Sequence, residues 1–378
     1  MHKKPRIAVV GAGAFGGWTA LYLLRRGAHV VLLDAWGPGN SRASSGGETR
    51  VLRCIYGANQ LYSKMAARAA QLWRVHEKLW RCELLHRIGV LWMTTGGNNQ
   101  FELESLPILR EMGVSYDELS AADIAKRWPQ MNSQAVDCGI YEPHGGYLLA
   151  RLACEAVVEG FRVEGGEYRQ IAVAPPECEQ KVMSGLTLAD GSTLAADQYV
   201  FACGPWMGKL FPESIGDKIR PTKQDVFFFG TPAGEDRFPD QKLPVWLDHR
   251  ETFIYGIPGN QDRGFKIADD ARGPEFDPTS GERVVSQEGL KKVREYLGFR
   301  FPALKDAPLV ETQVCQYEDT PDGNFIIDRH PAATNVWLVC GGSGHGFKHG
   351  PAVGEMVAGS VMRDGEVEPM FRLARFNA

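Results

Sequence analysis

The sequence predicts an α/β protein with a second α+β unit interleaved into it, and three observations carry that expectation. A strand pattern, a glycine-rich turn and a helical pattern succeed one another between Arg6 and Arg26. A second succession of buried strand, glycine loop and helix closes the chain, from Val336 to Met362. Between them the composition shifts twice, near Ile88 and near Arg220, towards short strands, prolines and glycines. With 378 residues the chain is long enough for two domains.

The first strand is the apolar run Arg6-Ile7-Ala8-Val9-Val10, of the kind buried on both faces of a parallel sheet. Gly11, Gly13 and Gly16 follow, with Ala12, Ala14 and Phe15 between them. Glycines at this spacing turn the backbone tightly, let it approach a pyrophosphate, and let the next helix pack on the strand. The helix start then offers free N–H groups and partial positive charge to phosphates. Arg25 and Arg26 sit at its other end and Gly27 is a natural C′ residue. The second strand, Val30-Val31-Leu32-Leu33, ends on Asp34, placed to bond the ribose hydroxyls of an adenosine about 20 residues after the glycines. Together these define a Rossmann-type dinucleotide site, for which FAD and NAD fit equally well.

A glycine- and serine-rich loop, 37–47, leads to Glu48-Thr49-Arg50-Val51-Leu52-Arg53, with two arginines three apart beside a backbone able to approach an anion. Leu61, Met65, Ala69, Leu72, Trp73, Leu79 and Trp80 then recur at helical spacing, their aromatics belonging to the core. Strand Val90-Leu91-Trp92-Met93 and helices over 104–112 and 121–127 form a first excursion out of the nucleotide domain. A helix over 148–160 returns, followed by strands at 170–173 and 185–188, with Asp190-Gly191 as a hairpin turn. The run from Gln198 to Trp206 is a buried strand delivering a tight loop. The second excursion, 220–314, holds the strand Asp225-Val226-Phe227-Phe228-Phe229 and an exposed helix over 287–297, and supplies most of a substrate pocket.

Composition excludes several classes of function. The net charge is −4 with no basic stripe, which argues against nucleic acid as a partner. No apolar run reaches the length of a membrane span. The eight cysteines, at 54, 82, 138, 154, 178, 203, 315 and 340, form no Cys-x-x-Cys pair, which argues against zinc and against a disulfide framework. The expected home is a reducing cytoplasm. The expected state is a monomer or small homo-oligomer, with a small-molecule substrate as partner.

Two places decide between FAD and NAD. The loop from Gly341 to Gly350 presents several N–H groups and a helix N-terminus to something negative. A nicotinamide enzyme gives no need for this second anion-binding end, whereas a flavin does, because its reduced ring carries negative charge near N1 and O2. The second place is Cys315-Gln316-Tyr317, Thr320-Pro321-Asp322, Phe325-Ile326-Ile327-Asp328-Arg329-His330-Pro331, and then Gly341-Gly342-Ser343-Gly344-His345-Gly346-Phe347-Lys348. This segment resembles the C-terminal motifs of the monomeric sarcosine oxidases, a group that includes N-methyltryptophan oxidase and the pipecolate oxidases within the D-amino-acid-oxidase-like flavoproteins. The resemblance extends through Gly47-Glu48-Thr49-Arg50, Arg127-Trp128-Pro129, Tyr141-Glu142-Pro143 and Cys203-Gly204-Pro205-Trp206, and so covers nearly the whole chain.

The resemblance implies a Rossmann-type FAD-binding domain made of 1–87, 148–219 and 315–378. It implies a second α+β substrate domain, built on a mixed sheet, made of 88–147 and 220–314. Cys315 matches the cysteine that carries FAD covalently through the flavin 8α-methyl group. Lys266 matches a lysine over the flavin that promotes reaction with oxygen, and Arg53 and Lys348 match the pair that binds the substrate carboxylate. Arg50 matches a flavin-edge cation; Tyr255 and Tyr317 match pocket tyrosines, with Lys266, Arg50 and Tyr317 as the catalytic set. FAD contacts are implied at Gly11, Gly13, Phe15, Gly16 and Asp34, and at Ser44, Thr49 and Arg50. Others fall at Val173, Gly204 and Trp206, and, towards the end, at Cys315, Gly342, Gly344, Gly346, Phe347 and Lys348. No metal is expected.

The implied activity is oxidation of the C–N bond of a secondary or N-methylated amino acid, with oxygen as acceptor and peroxide as product. The alternatives are a dehydrogenase on the same fold with another acceptor, and a non-catalytic flavin-binding subunit. Two departures put N-methylglycine itself in question: Ser45 and Gly46 stand where sarcosine oxidases often carry histidines, and Asp269-Asp270 where they carry another. An acid there could pair with a second basic group on a larger amino acid.

Overall fold

A computed structural model of the chain describes residues 4–97, 99–178, 181–250, 253–363 and 366–377. Two large sheets organise it. The first has six strands in the order Ile326–Arg329, Val336–Cys340, Gln198–Phe201, Arg6–Val10, His29–Asp34, Glu167–Gln170. All neighbours are parallel except the edge pair Ile326–Arg329 with Val336–Cys340, which is antiparallel. The central strands carry buried apolar runs, Ile7–Val10, Val30–Leu33 and Tyr199–Phe201, because helices cover the sheet.

The helix Ala14–Arg25 is apolar nearly all round, as a helix must be when it is sandwiched. It packs against Ala150–Val163 and against Gly350–Arg363, whose Gly354 would place a Cβ 2.6 Å from the Trp18 backbone. Gly16 answers the same demand on the strand side, since a Cβ there would lie 1.8 Å from the Gly11 carbonyl oxygen. These glycines are fixed by how closely helix, helix and strand approach.

The second sheet has eight strands: Leu309–Asp319, Arg220–Phe229, Phe265–Asp269, Phe253–Ile257, Val245–His249, Val90–Thr94, Cys138–Glu142, Asp117–Leu119. It is mixed, with one parallel pair, Val245–His249 with Val90–Thr94. Period-two alternation splits its residues between two cores. Phe227, Phe229, Trp246, Phe265 and Ile267 pack beneath the helix Gln287–Arg300, through Val293, Leu297 and the following Phe301. On the other face Trp92, Leu247, Tyr255 and Ala268 turn towards the first sheet and line the cavity described below. A three-stranded sheet, Thr49–Leu52, Gly146–Leu149 and Leu85–His86, joins the two.

The architecture is thus the α/β fold with a second α+β part on a mixed sheet that the sequence predicts. Differences of detail have physical causes. The expected strand at 170–173 stops at Gln170; Val173 makes only an isolated bridge to Leu188, because the chain leaves the sheet edge there and Ile171, Ala172 and Val173 line the cavity. The strand Leu309–Asp319 runs unbroken through 314/315, the point at which the expected domains change, and pairs along its length with Arg220–Phe229.

Candidate active site

A cavity of about 1020 Å³ lies between the sheets, beyond the carboxyl ends of the parallel strands. That is where open α/β sheets bind their ligands. Gly11, Gly13, Phe15, Asp34, Ser44, Thr49, Val173, Gly204 and Trp206 all line it, as do Gly342, Gly344, Gly346, Phe347 and Lys348. Gly11 has φ +103°, and a Cβ there would lie 2.3 Å from the Ala202 carbonyl oxygen. Only glycine serves at that turn. Gly16 does not line the cavity and acts through helix packing alone. The Asp34 carboxylate accepts from Ala12 N at 2.8 Å, Trp36 N at 2.9 Å and Gly37 N at 2.8 Å, so it pins the glycine turn as well as lining the cavity.

Midway along, Arg50 donates to the Ser44 carbonyl at 2.6 Å, to its own neighbour Thr49 O at 2.8 Å and to Cys315 Sγ at 3.2 Å. Its guanidinium lies on Gly47, where a Cβ would come within 2.5 Å of it. Lys266 does not line the cavity. It stands behind Thr49, donating to Thr49 O at 2.9 Å and Thr49 Oγ1 at 3.1 Å. Burial, and then the Arg50 charge beside it, push its ammonium down to about 7.

Tyr317 donates to Asp270 Oδ1 at 2.7 Å, and Arg272 pairs with Asp270 at 3.2 Å and with Asp319 at 3.0 Å. The Arg272 guanidinium lies 5.1 Å from the Tyr317 ring centroid. Burial raises the Asp270 carboxyl while Arg272 opposes, and burial likewise raises the phenols of Tyr255 and Tyr317. Asp269 points the other way, to Lys292. Both acids are therefore engaged within the chain, which weakens the expectation that they pair with a second basic group on the substrate.

The far end of the cavity is cationic. Arg53 sits 4.5 Å from the Tyr56 ring centroid and 4.7 Å from that of Trp92, and Lys348 Nζ lies 5.2 Å from Tyr56. Lys348 is 4% exposed and donates to the His345 carbonyl at 2.9 Å. Burial, and then Arg53, hold its ammonium well below the usual lysine range. The backbone of Cys54 and Ile55 is tied to the Glu142 carboxylate, which fixes the turn between Arg53 and Tyr56.

Tyr56 also joins a chain of histidines. His345 Nε2 faces the Gly323 carbonyl at 3.1 Å and so carries its proton; its Nδ1 then accepts from Tyr56 Oη at 3.2 Å. Tyr56 in turn accepts from His349 Nε2 at 2.7 Å. Burial pushes His345 down to about 3 and His349 well below the ordinary range, so both rings are neutral donors and acceptors. Sequence reasoning misses these roles, because Arg53-x-x-Tyr56 and His345-x-x-x-His349 are short-range patterns that mean little until the fold joins them. An aromatic wall of Trp92, Phe101, His249 and Phe253 completes this end, with Glu102 accepting from Trp92 Nε1 at 2.5 Å and bonded to His249 Nδ1 at 2.6 Å.

The glycine turn, the second glycine loop and the cavity between them suit a long ligand with a phosphorylated end. Residues 6–359 match the family described as FAD dependent oxidoreductase (DAO), and the chain belongs to that family. It is 29% identical to a monomeric sarcosine oxidase of Arthrobacter sp. (strain TE1826), over 95% of this chain and 92% of the relative. It is 27% identical to an N-methyl-L-tryptophan oxidase of Escherichia coli O7:K1 (strain IAI39 / ExPEC), over 99% and 100%. In fold it resembles the L-proline dehydrogenase of P. horikoshii, with TM-score 0.86, 20% identity, and coverage of 100% of this chain and 99% of that one.

The residues present fit FAD. Two cavity-lining residues, Ser44 and Glu318, hold buried polar atoms, Oγ and Oε2, that have no partner in the chain. Among the described residues there is no group of three or more His, Cys, Asp or Glu side chains able to hold a metal, no disulfide, and no helix long and apolar enough to cross a membrane.

Proposed function

We propose that the chain is an FAD-dependent oxidase of the C–N bond of a secondary or N-methylated amino acid, releasing an imine that hydrolyses to a carbonyl product, with hydrogen peroxide. The observation that carries this reading is the placement of Arg53 and Lys348 around Tyr56 at one end of the same cavity that holds the Gly11 turn. FAD, when bound, supplies the two-electron acceptor. Gly11, Gly13 and the helix start at Ala14 would hold its phosphates, and the loop from Gly342 to Phe347 its other end. Cys315 would hold it covalently.

Arg53 and Lys348 bind the substrate carboxylate, each charge-assisted hydrogen bond contributing roughly 1.5–3 kcal/mol. The aromatic wall excludes water from the reacting carbon, and Tyr317, fixed by Asp270, orients the amine. Below about pH 7 Lys266 carries positive charge next to Thr49 and Arg50, where it would favour charge developing on oxygen. In this reading 1–87, 148–219 and 315–378 bind FAD and 88–147 and 220–314 shape the substrate pocket, with Leu309–Asp319 as the shared strand. A reducing cytoplasm suits the eight free thiols.

One observation favours a second reading. Lys266 Nζ is engaged by both oxygens of Thr49 and does not line the cavity, which suits a dehydrogenase passing electrons to an acceptor other than oxygen. Oxygen consumption and peroxide formation with a panel of N-methyl and cyclic secondary amino acids test both. Peroxide matching substrate turnover supports the oxidase. Turnover only with an added artificial acceptor supports the dehydrogenase, and turnover with neither removes both.

A further inference from the structure

Glu318 has no place in the chemistry above, yet it is 7% exposed and lines the cavity. It follows Tyr317 in the strand Leu309–Asp319, at the end nearest the parallel sheet. Its Oε1 accepts from Gly342 N at 3.1 Å, which anchors the second glycine loop. Its Oε2 is buried without a partner. That atom lies beside Gly204, 3.8 Å from where a Cβ there would stand. Gly204 follows the strand Gln198–Phe201, which pairs with Arg6–Val10 and its glycine turn, and Gly342 follows Val336–Cys340, the next strand out, which pairs with Gln198–Phe201. The unpartnered oxygen therefore sits among the strand ends at which this fold receives phosphate-bearing ligands.

We propose that Glu318 is a cofactor-binding residue whose Oε2 carries a proton and donates a hydrogen bond to an oxygen of the phosphate–ribityl stretch of FAD. An ionised carboxylate could only repel a phosphate or accept from a hydroxyl; a neutral acid supplies the donor that an anionic ligand requires. Burial pushes the Glu318 carboxyl up to about 7, against the pull of the Gly342 and Gly341 N–H groups, and Asp319 adds to the rise. Asp319 is itself paired with Arg272. Cys203, two residues past the strand Gln198–Phe201, and Cys340, at the end of Val336–Cys340, lie near Glu318 and are both held as neutral thiols by burial. FAD bound to the protonated form stabilises that form, so cofactor affinity falls as pH rises.

This inference rests on FAD as the resident cofactor and is independent of the substrate. The test uses the full-length chain carrying Cys315→Ala, so that no covalent bond hides the equilibrium, stripped of flavin and titrated with FAD while fluorescence is followed. With Glu318 in place, Kd should rise about tenfold or more between pH 6.5 and pH 9, as for one linked proton. Adding Glu318→Gln, which keeps a donor and cannot ionise, should flatten that profile at the pH 6.5 affinity. Adding Glu318→Ala should weaken binding already at pH 6.5.

Calorimetry in two buffers gives a reading that needs no Glu318 variant: about one proton should be taken up per FAD at pH 8.5. No proton uptake with Glu318 present, the same pH profile in the glutamine variant, or undiminished binding at pH 6.5 in the alanine variant would each overturn the proposal. Absence of saturable FAD binding at every pH, with Glu318 intact, would instead overturn FAD as the cofactor.

Discussion

The Arg50 guanidinium reaches the sulfur of Cys315 at 3.2 Å, across 265 residues of sequence. Arg50 stands at the start of the small three-stranded sheet and Cys315 on the long strand of the mixed sheet, so the contact joins two parts of the fold at the middle of the cavity. Burial opposes the charge on Arg50, while the Cys315 sulfur and the phenols of Tyr255 and Tyr317 favour it. A cation fixed beside a cysteine that lines a ligand cavity is the arrangement nucleophilic sulfur chemistry uses.

The proposed covalent attachment through Cys315 draws on that contact and is tested directly. Acid precipitation of the purified protein should leave the yellow colour in the pellet, with the flavin mass on the Cys315 peptide. Cys315→Ala should release all the flavin to the supernatant. Arg50→Met should slow attachment while the protein still binds FAD. Flavin in the supernatant of the wild-type protein would make the cofactor non-covalent.

A buried ion pair holds the outer layer of the mixed sheet. Arg300 and Asp248 are both fully buried, 2.6 Å apart, and Tyr296 donates to the same carboxylate at 2.7 Å. Burial alone would raise Asp248, but Arg300 and the Tyr296 hydroxyl hold it below its ordinary value. Its contribution is therefore present above the ordinary carboxylate range and lost as pH falls through it. Asp248→Asn leaves the Arg300 charge unpaired and should cost about 3–5 kcal/mol in denaturant unfolding. The loss relative to wild type should shrink on acidification.

What the sequence discloses about this site divides by the range of the interactions. Gly11, Gly204 and Gly344 are legible because a positive φ or a close backbone approach is a demand made on one residue by its immediate turn. Arg53, Lys348 and Cys315 acquire meaning only as members of ordered motifs, since an isolated arginine, lysine or cysteine has many uses. Three features escape altogether. Tyr56 meets His349 across 293 residues, Tyr317 meets Asp270 across 47, and Lys266 meets Thr49 across 217. Glu318 escapes for another reason: strand alternation assigns it to the face opposite Tyr317, and only the approach of the strand end to Gly342 brings its carboxyl into the cavity.

The position of Lys266 makes its charge pH-dependent. Held at about 7 by burial and by Arg50, it is charged below that pH and neutral above it. If it assists oxygen, reoxidation of the reduced flavin should slow as pH rises through about 7. Lys266→Met should be uniformly slow, with little effect on flavin reduction by substrate. The same shift has a stability consequence. Between about 7 and the ordinary lysine value the unfolded chain binds the extra proton, so stability rises with pH across that window. Lys266→Met removes a buried charge at little cost in volume. It should therefore stabilise the fold below pH 7, by an amount that falls as pH approaches 10. Equal effects on both half-reactions, or a pH-independent stability difference, would take the charge away from this lysine.

In its proposed role Lys348 should behave differently, because its partner would arrive with the substrate. In the free protein burial and Arg53 favour its neutral form. A carboxylate docking between Arg53 and Lys348 reverses that balance by supplying the opposite charge. Binding of a carboxylate inhibitor should therefore take up a proton, and its affinity should fall as pH rises, since deprotonation then competes with binding. Lys348→Met should abolish the proton uptake and weaken the inhibitor by about 2–5 kcal/mol, the cost of leaving one side of a buried charged contact unpaired. Arg53→Met should weaken it by a similar amount. With Arg53 gone the lysine is easier to charge, so less proton uptake should remain. Calorimetric titration in buffers of different ionisation enthalpy reads both quantities at once. Undiminished affinity in both variants would mean that the carboxylate docks elsewhere in the cavity.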